Sequence, residues 1–146
     1  MAVLTQSITV NAPVEDVFDY ALDPRKLWSM PDVALADVTI EPDGVGTSAR
    51  IWSHVLGFHI EGSMEYQEVT RPERIVIEVN FVMEHPTWTF TFEPEDGVTK
   101  VTAQGEWHVK TPAVGGRFEK MMVKEHVPAL EGILASLKRD LEGATV

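Results

Sequence analysis

Residues 58–109 read FHIEGSMEYQEVTRPERIVIEVNFVMEHPTWTFTFEPEDGVTKVTAQGEWHV, and apolar and polar side chains alternate along most of that length. Side chains two apart on a strand share a face. One set is therefore Phe58, Ile60, Met64 and Tyr66; the next is Ile75, Ile77, Val79 and Phe81; then come Trp88, Phe90 and Phe92, and finally Val101, Ala103 and Trp107. The interleaved Glu61, Glu65, Glu78, Asn80, Thr89, Thr91, Thr102, Gln104 and His108 are mostly polar. A sheet that is apolar on one face and wet on the other is antiparallel rather than doubly wound. Arg71-Pro72-Glu73 and Pro94-Glu95-Asp96-Gly97 carry turn chemistry, and loops this short join antiparallel neighbours. Strands are predicted over 58–70, 74–82, 87–93 and 98–109.

Upstream, further strands are predicted over 36–41, with Val38 and Ile40 on one face, and over 47–56, joined by the turn Glu41-Pro42-Asp43-Gly44-Val45-Gly46 and followed by Gly57. The chain opens with an alternating β-rich stretch, 4–10, that ends at Asn11-Ala12-Pro13. Asn11 is the expected helix cap and Pro13 suits a first turn. Val14, Val17, Phe18 and Ala21 recur at helical spacing up to Leu22, with acids near the positive N-terminus. Asp23-Pro24 breaks that helix, and a second short one is predicted over 25–29, carrying Leu27 and Trp28 and stopping at Met30-Pro31.

Downstream of Thr111-Pro112 a long helix is predicted to about Glu142, with Gly115-Gly116, Pro128 and Gly132 against it. Leu130, Ile133, Leu134, Leu137 and Leu141 form an apolar stripe in its second half. In the first half Val114, Phe118, Met121, Met122 and Val123 mix with Glu119, Glu125 and His126, and no single narrow stripe accounts for them. Proline removes one helical hydrogen bond and bends the axis, so the halves flanking Pro128 need not bury the same face. The fold class is α+β: a seven-stranded curved antiparallel sheet around a long C-terminal helix, with two short helices after the first strand.

The 146 residues fit one domain, 1–146, large enough to bury a core unaided. Zero cysteines exclude disulfides, thiolate metal sites and a cysteine nucleophile, and suit a cytoplasmic location. The first ten residues have no basic region or continuous apolar stretch, so no signal peptide is expected. Every apolar stretch is interrupted by charge before the roughly 20 residues of a membrane span, so no membrane insertion is expected. Twelve Lys+Arg against 23 Asp+Glu leave a formal charge of −11, a field that repels phosphate backbones. No nucleic-acid partner is expected. Edge strands permit a homodimer, but nothing requires one over a monomer.

The order of these elements is the helix-grip arrangement, and the sequence resembles the START and birch-pollen-allergen-like superfamily (SRPBCC), in its bacterial polyketide cyclase/dehydrase-like branch. The resemblance is carried by Ser7-Ile8-Thr9-Val10-Asn11-Ala12-Pro13-Val14-Glu15-Asp16-Val17-Phe18-Asp19-Tyr20, by Asp23-Pro24, Trp28 and Val45-Gly46-Thr47, and by Gly62 to Val69 followed by Arg71-Pro72-Glu73-Arg74-Ile75. Phe92-Glu93-Pro94 and Gly97 to Thr102 complete it, so that essentially the whole chain is covered. These signatures encode caps, turns and core positions and carry no catalytic motif. The resemblance implies a cavity between the sheet and the long helix that takes lipids, polyketides or similar apolar molecules. The expected lining is Val38, Ile60, Met64, Ile77, Val79, Phe81, Trp88, Phe90, Trp107, Phe118, Met122 and His126.

Acid–base candidates are few. His54 and His59 flank the Gly57 turn, His85 precedes Pro86, and His108 alternates with the inward Trp107; turn and outer-face histidines are usually solvated. Glu119 and His126 share a helical face two turns apart, with Met122 between them. They either anchor a ligand hydroxyl or enolate or sit at the solvent edge of the helix. No His-Glu-x-x-His, cysteine cluster, phosphate loop or Gly-x-Ser-x-Gly elbow is present, so neither a metal nor another cofactor is expected. Three readings follow: a carrier of a small hydrophobic molecule, a polyketide cyclase or dehydratase using His126 or a nearby glutamate, and a regulatory module without a ligand.

Overall fold

The computed structural model describes residues 2–28, 33–55, 58–81, 85–107 and 115–143, with side chains of residues 2, 53–55, 58, 115–123, 125, 126 and 129 outside the described set. The elements are β1 (Ala2–Val10), α1 (Val14–Ala21), α2 (Pro24–Leu27), β2 (Val33–Thr39), β3 (Ser48–Val55), β4 (Phe58–Thr70), β5 (Arg74–Phe81), β6 (Thr87–Glu95), β7 (Val98–Trp107) and α3 (Gly115–Gly143). The seven strands form one curved antiparallel sheet in the order β1-β7-β6-β5-β4-β3-β2. The chain runs from one edge strand through α1 and α2 to the other edge, then meanders back.

Alternation becomes burial along the meander. In β5 the side chains of Ile75, Ile77, Val79 and Phe81 are buried and their neighbours half-exposed, and β7 repeats the pattern from Thr99 to Trp107. The inner face packs with Val17, Phe18 and Ala21 of α1, with Leu27 and Trp28, and with Leu130, Ile133, Leu134 and Leu137 of α3. Leu141 is half-buried at the end of that stripe. Pro128 lies within the continuous helix α3, at an exposed position.

Four expectations shift. Asn11 does not cap α1: Pro13 holds the cap position with no side-chain cap bond, and the Asn11 backbone N–H donates to Glu142 Oε2 at 3.0 Å. The second helix begins one residue early, at Pro24, because Asp23 caps it by accepting from Arg25 N at 3.0 Å while proline fills the first turn. That helix also stops at Leu27, before Ser29. Strand β2 begins at Val33 rather than Ala36 and ends at Thr39, with a register shift between Ala36 and Thr39 where Asp37 takes a positive φ of 53°. Val38 is consequently packed against the core while Ile40 is 45% exposed, so they do not share a buried face.

Polar contacts lock the end of the sheet next to α1. Lys138 Nζ donates to the Thr9 carbonyl at 2.8 Å and pairs with Glu142 at 2.6 Å. The Tyr20 hydroxyl donates to Asp140 Oδ2 at 2.7 Å, and buried Thr99 Oγ1 donates to the Ala12 carbonyl at 2.8 Å. Arg71, in the β4–β5 turn, pairs with Glu15 at 2.8 Å and Asp19 at 2.5 Å and lies over the Phe18 ring. The C-terminus of α3 is thereby held beside the C-terminus of β1. Since α3 packs along β1 and a helix rises about 1.5 Å per residue, its first half extends roughly 20 Å back toward the opposite end of the sheet.

Candidate functional site at the far end of the inner face

At that far end β1, β2, β4 and β6 begin and β3, β5 and β7 finish, as the register shows: Ala2 faces Trp107, Thr87 faces Glu106, Gly62 faces Phe81 and Val55 faces Phe58. The expected lining residues of the sheet gather on its inner face. Met64, Ile77, Val79, Phe81, Trp88, Phe90 and Trp107 are all buried there, with Val38 and Ile60 packed against them at the margin. Phe118, Glu119, Met122 and His126 belong to the first half of α3, and their side chains lie outside the described residues.

Packing loosens along β5. From the α1 end outward, exposure along β5 runs 0% at Ile75, 0% at Ile77, 2% at Val79 and 7% at Phe81. Trp88 is 4% and Trp28 5% exposed and Ile60 is half-buried, whereas Trp107, at the same end on β7, is fully buried and Ala49, at the α1 end of β3, is 5% exposed. Ile77, Phe90 and Trp107 touch no solvent-sized space and act as packing behind the others.

Four rings dominate this wall. Trp88 meets Trp107 edge-on at 5.2 Å and lies 6.4 Å from Phe90 in a stacked arrangement. Trp28, placed by the Asp23-capped α2, sits edge-on to Trp88 at 6.1 Å and to Phe90 at 6.3 Å. Edge-to-face pairs of this kind are favourable beyond the area they bury. Trp28 is the residue of this nest that strand alternation does not reveal; its signal is its place on a short helix just after a capping Asp-Pro.

Two glycines shape the floor. Gly105 is the cross-strand partner of Trp88, and a Cβ there would stand 2.8 Å from the Trp107 ring and 2.9 Å from that of Trp88. Gly62 is the partner of Phe81, and a Cβ there would stand 2.6 Å from Phe81 Cδ1 and 2.4 Å from the Asn80 carbonyl. Aromatic rings thus lie across the glycines against the sheet.

Polar groups at this wall are sparse. The Tyr66 hydroxyl, fully buried, donates to the Ala21 carbonyl at 2.8 Å. Burial pushes its pKa far above the ordinary phenol value, and the negative charge of Asp23 adds to the rise. The Trp28 indole N–H is buried and meets no acceptor in good geometry among the described residues, although it lies near enough to the Tyr66 hydroxyl to oppose that rise. Buried Thr47 Oγ1 accepts from Glu41 N at 3.0 Å. His85 Nδ1 donates to Asn80 Oδ1 at 2.5 Å on the outer side of β5, and His59 is exposed. The side chain of His54 and the whole of His108 lie outside the described residues. Among the described residues no three His, Cys, Asp or Glu side chains cluster to hold a metal ion.

A surface depression of about 380 Å³, lined by Glu73, Arg74, Thr91, Phe92, Glu93 and Pro94, lies at the α1 end and shares no residue with the expected lining. Among the described residues no helix is long and apolar enough to cross a membrane.

Residues 1–142 match the family described as polyketide cyclase / dehydrase and lipid transport. The chain belongs to this family. Solved structures share the fold of this chain across nearly its whole length. A protein of Thermus thermophilus superposes with a TM-score of 0.82 at 21% identity, covering 99% of this chain and 100% of the other. The Zhui aromatase/cyclase of a Streptomyces species gives 0.81 at 12% identity, covering 99% and 96%. A START superfamily protein of Mycobacterium smegmatis gives 0.73 at 15% identity, covering 97% and 98%. At these identities the likeness shows the helix-grip fold alone. No match is found among the curated proteins.

Proposed function

We propose that this protein binds a small hydrophobic molecule, lipid- or polyketide-like, in a space at the far end of the inner face, between Ile60, Phe81, Trp88 and Trp28 and the first half of α3. The observation that carries this reading is the apolar, ring-rich described wall at the far end, formed by Ile60, Val79, Phe81, Trp88 and Trp28, opposite a helix whose first half lacks a regular apolar stripe in its sequence. Apolar burial supplies the affinity, at roughly 25 cal/mol per Å².

Binding is the reading that the described wall supports, because Ile60, Val79, Phe81, Trp88 and Trp28 are apolar or aromatic and the Tyr66 phenol is held neutral. The acid–base candidates on the facing helix are His126 and a nearby glutamate such as Glu119. Native mass spectrometry of the purified protein, followed by extraction, tests the reading directly. An apolar molecule in one-to-one stoichiometry, or uptake of an added long-chain fatty acid, is expected. A chain that carries nothing and takes up neither fatty acid nor a hydrophobic dye refutes it. Turnover of an identified substrate by the wild type would make the protein an enzyme instead, and unchanged turnover in His126→Ala would remove His126 from its mechanism.

A further inference from the structure

The wall contains one ring whose setting differs from the rest. Trp88, Trp107, Trp28 and Phe90 fix one another in three edge-to-face pairs and one stacked pair, whereas Phe81 makes no aromatic pair among the described residues. It lies instead across Gly62, its cross-strand partner. A Cβ at position 62 would stand 2.4 Å from the Asn80 backbone carbonyl, 2.6 Å from Cδ1 and 2.9 Å from Cε1 of the ring, so a side chain there would have to displace both the β5 backbone and the ring. Phe81 is also the most exposed of the buried apolar side chains on β5, at 7%. An aromatic residue paired with anything larger than glycine would be lifted off the sheet toward α3.

We propose that the Phe81–Gly62 pair sets the depth of the ligand space: the Phe81 ring, with one edge over Gly62, is the floor on which the apolar end of the ligand rests. This inference rests on the binding reading above and adds to it the residues that determine ligand length. Gly62 is a positioning residue, acting through the ring it accommodates. Removing the ring lengthens the space; a side chain at position 62 lifts the ring and shortens it.

The test is binding of a homologous series of n-alkanoic acids, by calorimetry or dye displacement, to the wild type, Phe81→Ala, Phe81→Leu and Gly62→Ala. Wild-type affinity should rise about fourfold per methylene until the chain meets the floor, then level off. In Phe81→Ala the plateau should move to longer acids, each further buried methylene again giving about fourfold. In Gly62→Ala it should move to shorter ones. Phe81→Leu keeps the core filled and shifts the plateau in the same direction as alanine by a smaller step; it decides the matter if the alanine variant loses its near-ultraviolet circular dichroism. An identical plateau in the wild type and a folded Phe81 variant overturns the inference and leaves the binding reading standing. A wild-type protein that binds no member of the series overturns both.

Discussion

Replacing Tyr66 by Phe removes a single hydroxyl from the point where the sheet is tied to the helices. That hydroxyl is fully buried and donates to the Ala21 carbonyl at 2.8 Å, in the last turn of α1. Phenylalanine fills the same space, so the loss is one hydrogen bond, one buried carbonyl left without its donor, and the polar neighbour of the buried Trp28 N–H. Together these cost about 2 kcal/mol. For a domain of this size that corresponds to a fall of about 6 °C in the unfolding midpoint. The difference should depend on pH. Because burial raises the Tyr66 pKa above its ordinary value, the folded protein keeps the proton at alkaline pH while the unfolded chain releases it near pH 10. The contribution of Tyr66 is then fully present below about pH 10 and is lost as pH rises further, by about 1.4 kcal/mol at pH 11. Urea unfolding of wild type and Tyr66→Phe at about pH 8 and pH 11 measures this, since other ionising groups cancel between the two proteins. The gap should shrink from about 2 to about 0.6 kcal/mol. A gap that is constant with pH, or a variant as stable as the wild type at neutral pH, refutes the reasoning.

At Glu142 the salt link to Lys138 and the Asn11 N–H hold the carboxyl below its ordinary range, so its contribution is present above the usual glutamate pKa and is lost as pH falls through the lowered value. Glu142→Gln should therefore lower the thermal midpoint at pH 7, with the difference from wild type closing in acid; a difference unchanged by acidification contradicts this. Pro128 stands exposed inside a continuous helix, so Pro128→Ala should stabilise the protein by about 1–3 kcal/mol in urea titrations, and an unaltered or lowered midpoint shows that the proline costs nothing there. Gly105→Ala would press a methyl group into the Trp88 and Trp107 rings and should destabilise by about 1–3 kcal/mol with a changed near-ultraviolet spectrum; a neutral effect would mean that the rings move aside freely.

The meander was legible because its strands are half-wet: a polar residue at every second position in β4 to β7 announces both the strand and its inner face, and the far ends of those strands fall within two residues of expectation. Strand β2 escaped in part because Val33-Ala34-Leu35-Ala36 carries no polar alternation and Asp37 breaks the register with a left-handed backbone. Asn11 misled for a different reason. Pro13, two residues further on, takes the cap position itself, and the Asn11 N–H is held by Glu142, 131 residues away, a contact that no local pattern announces. The inner faces named the wall of the site, yet the two cross-strand pairs of glycine with an aromatic ring depend on register, and the place of Trp28 depends on how α2 docks; neither follows from alternation.

The four tryptophans allow the central claim to be tested in one experiment. Trp28, Trp88 and Trp107 stand at or behind the proposed ligand wall, whereas Trp52 lies under Arg50, 4.8 Å from its guanidinium carbon, on the outer face of β3. Titrating ¹⁵N-labelled protein with a long-chain fatty acid and following the four indole N–H resonances distinguishes the two faces. The account predicts that the Trp28 and Trp88 signals shift and saturate together while Trp52 stays fixed. Saturation that moves Trp52 alone, or that leaves all four signals in place, contradicts it.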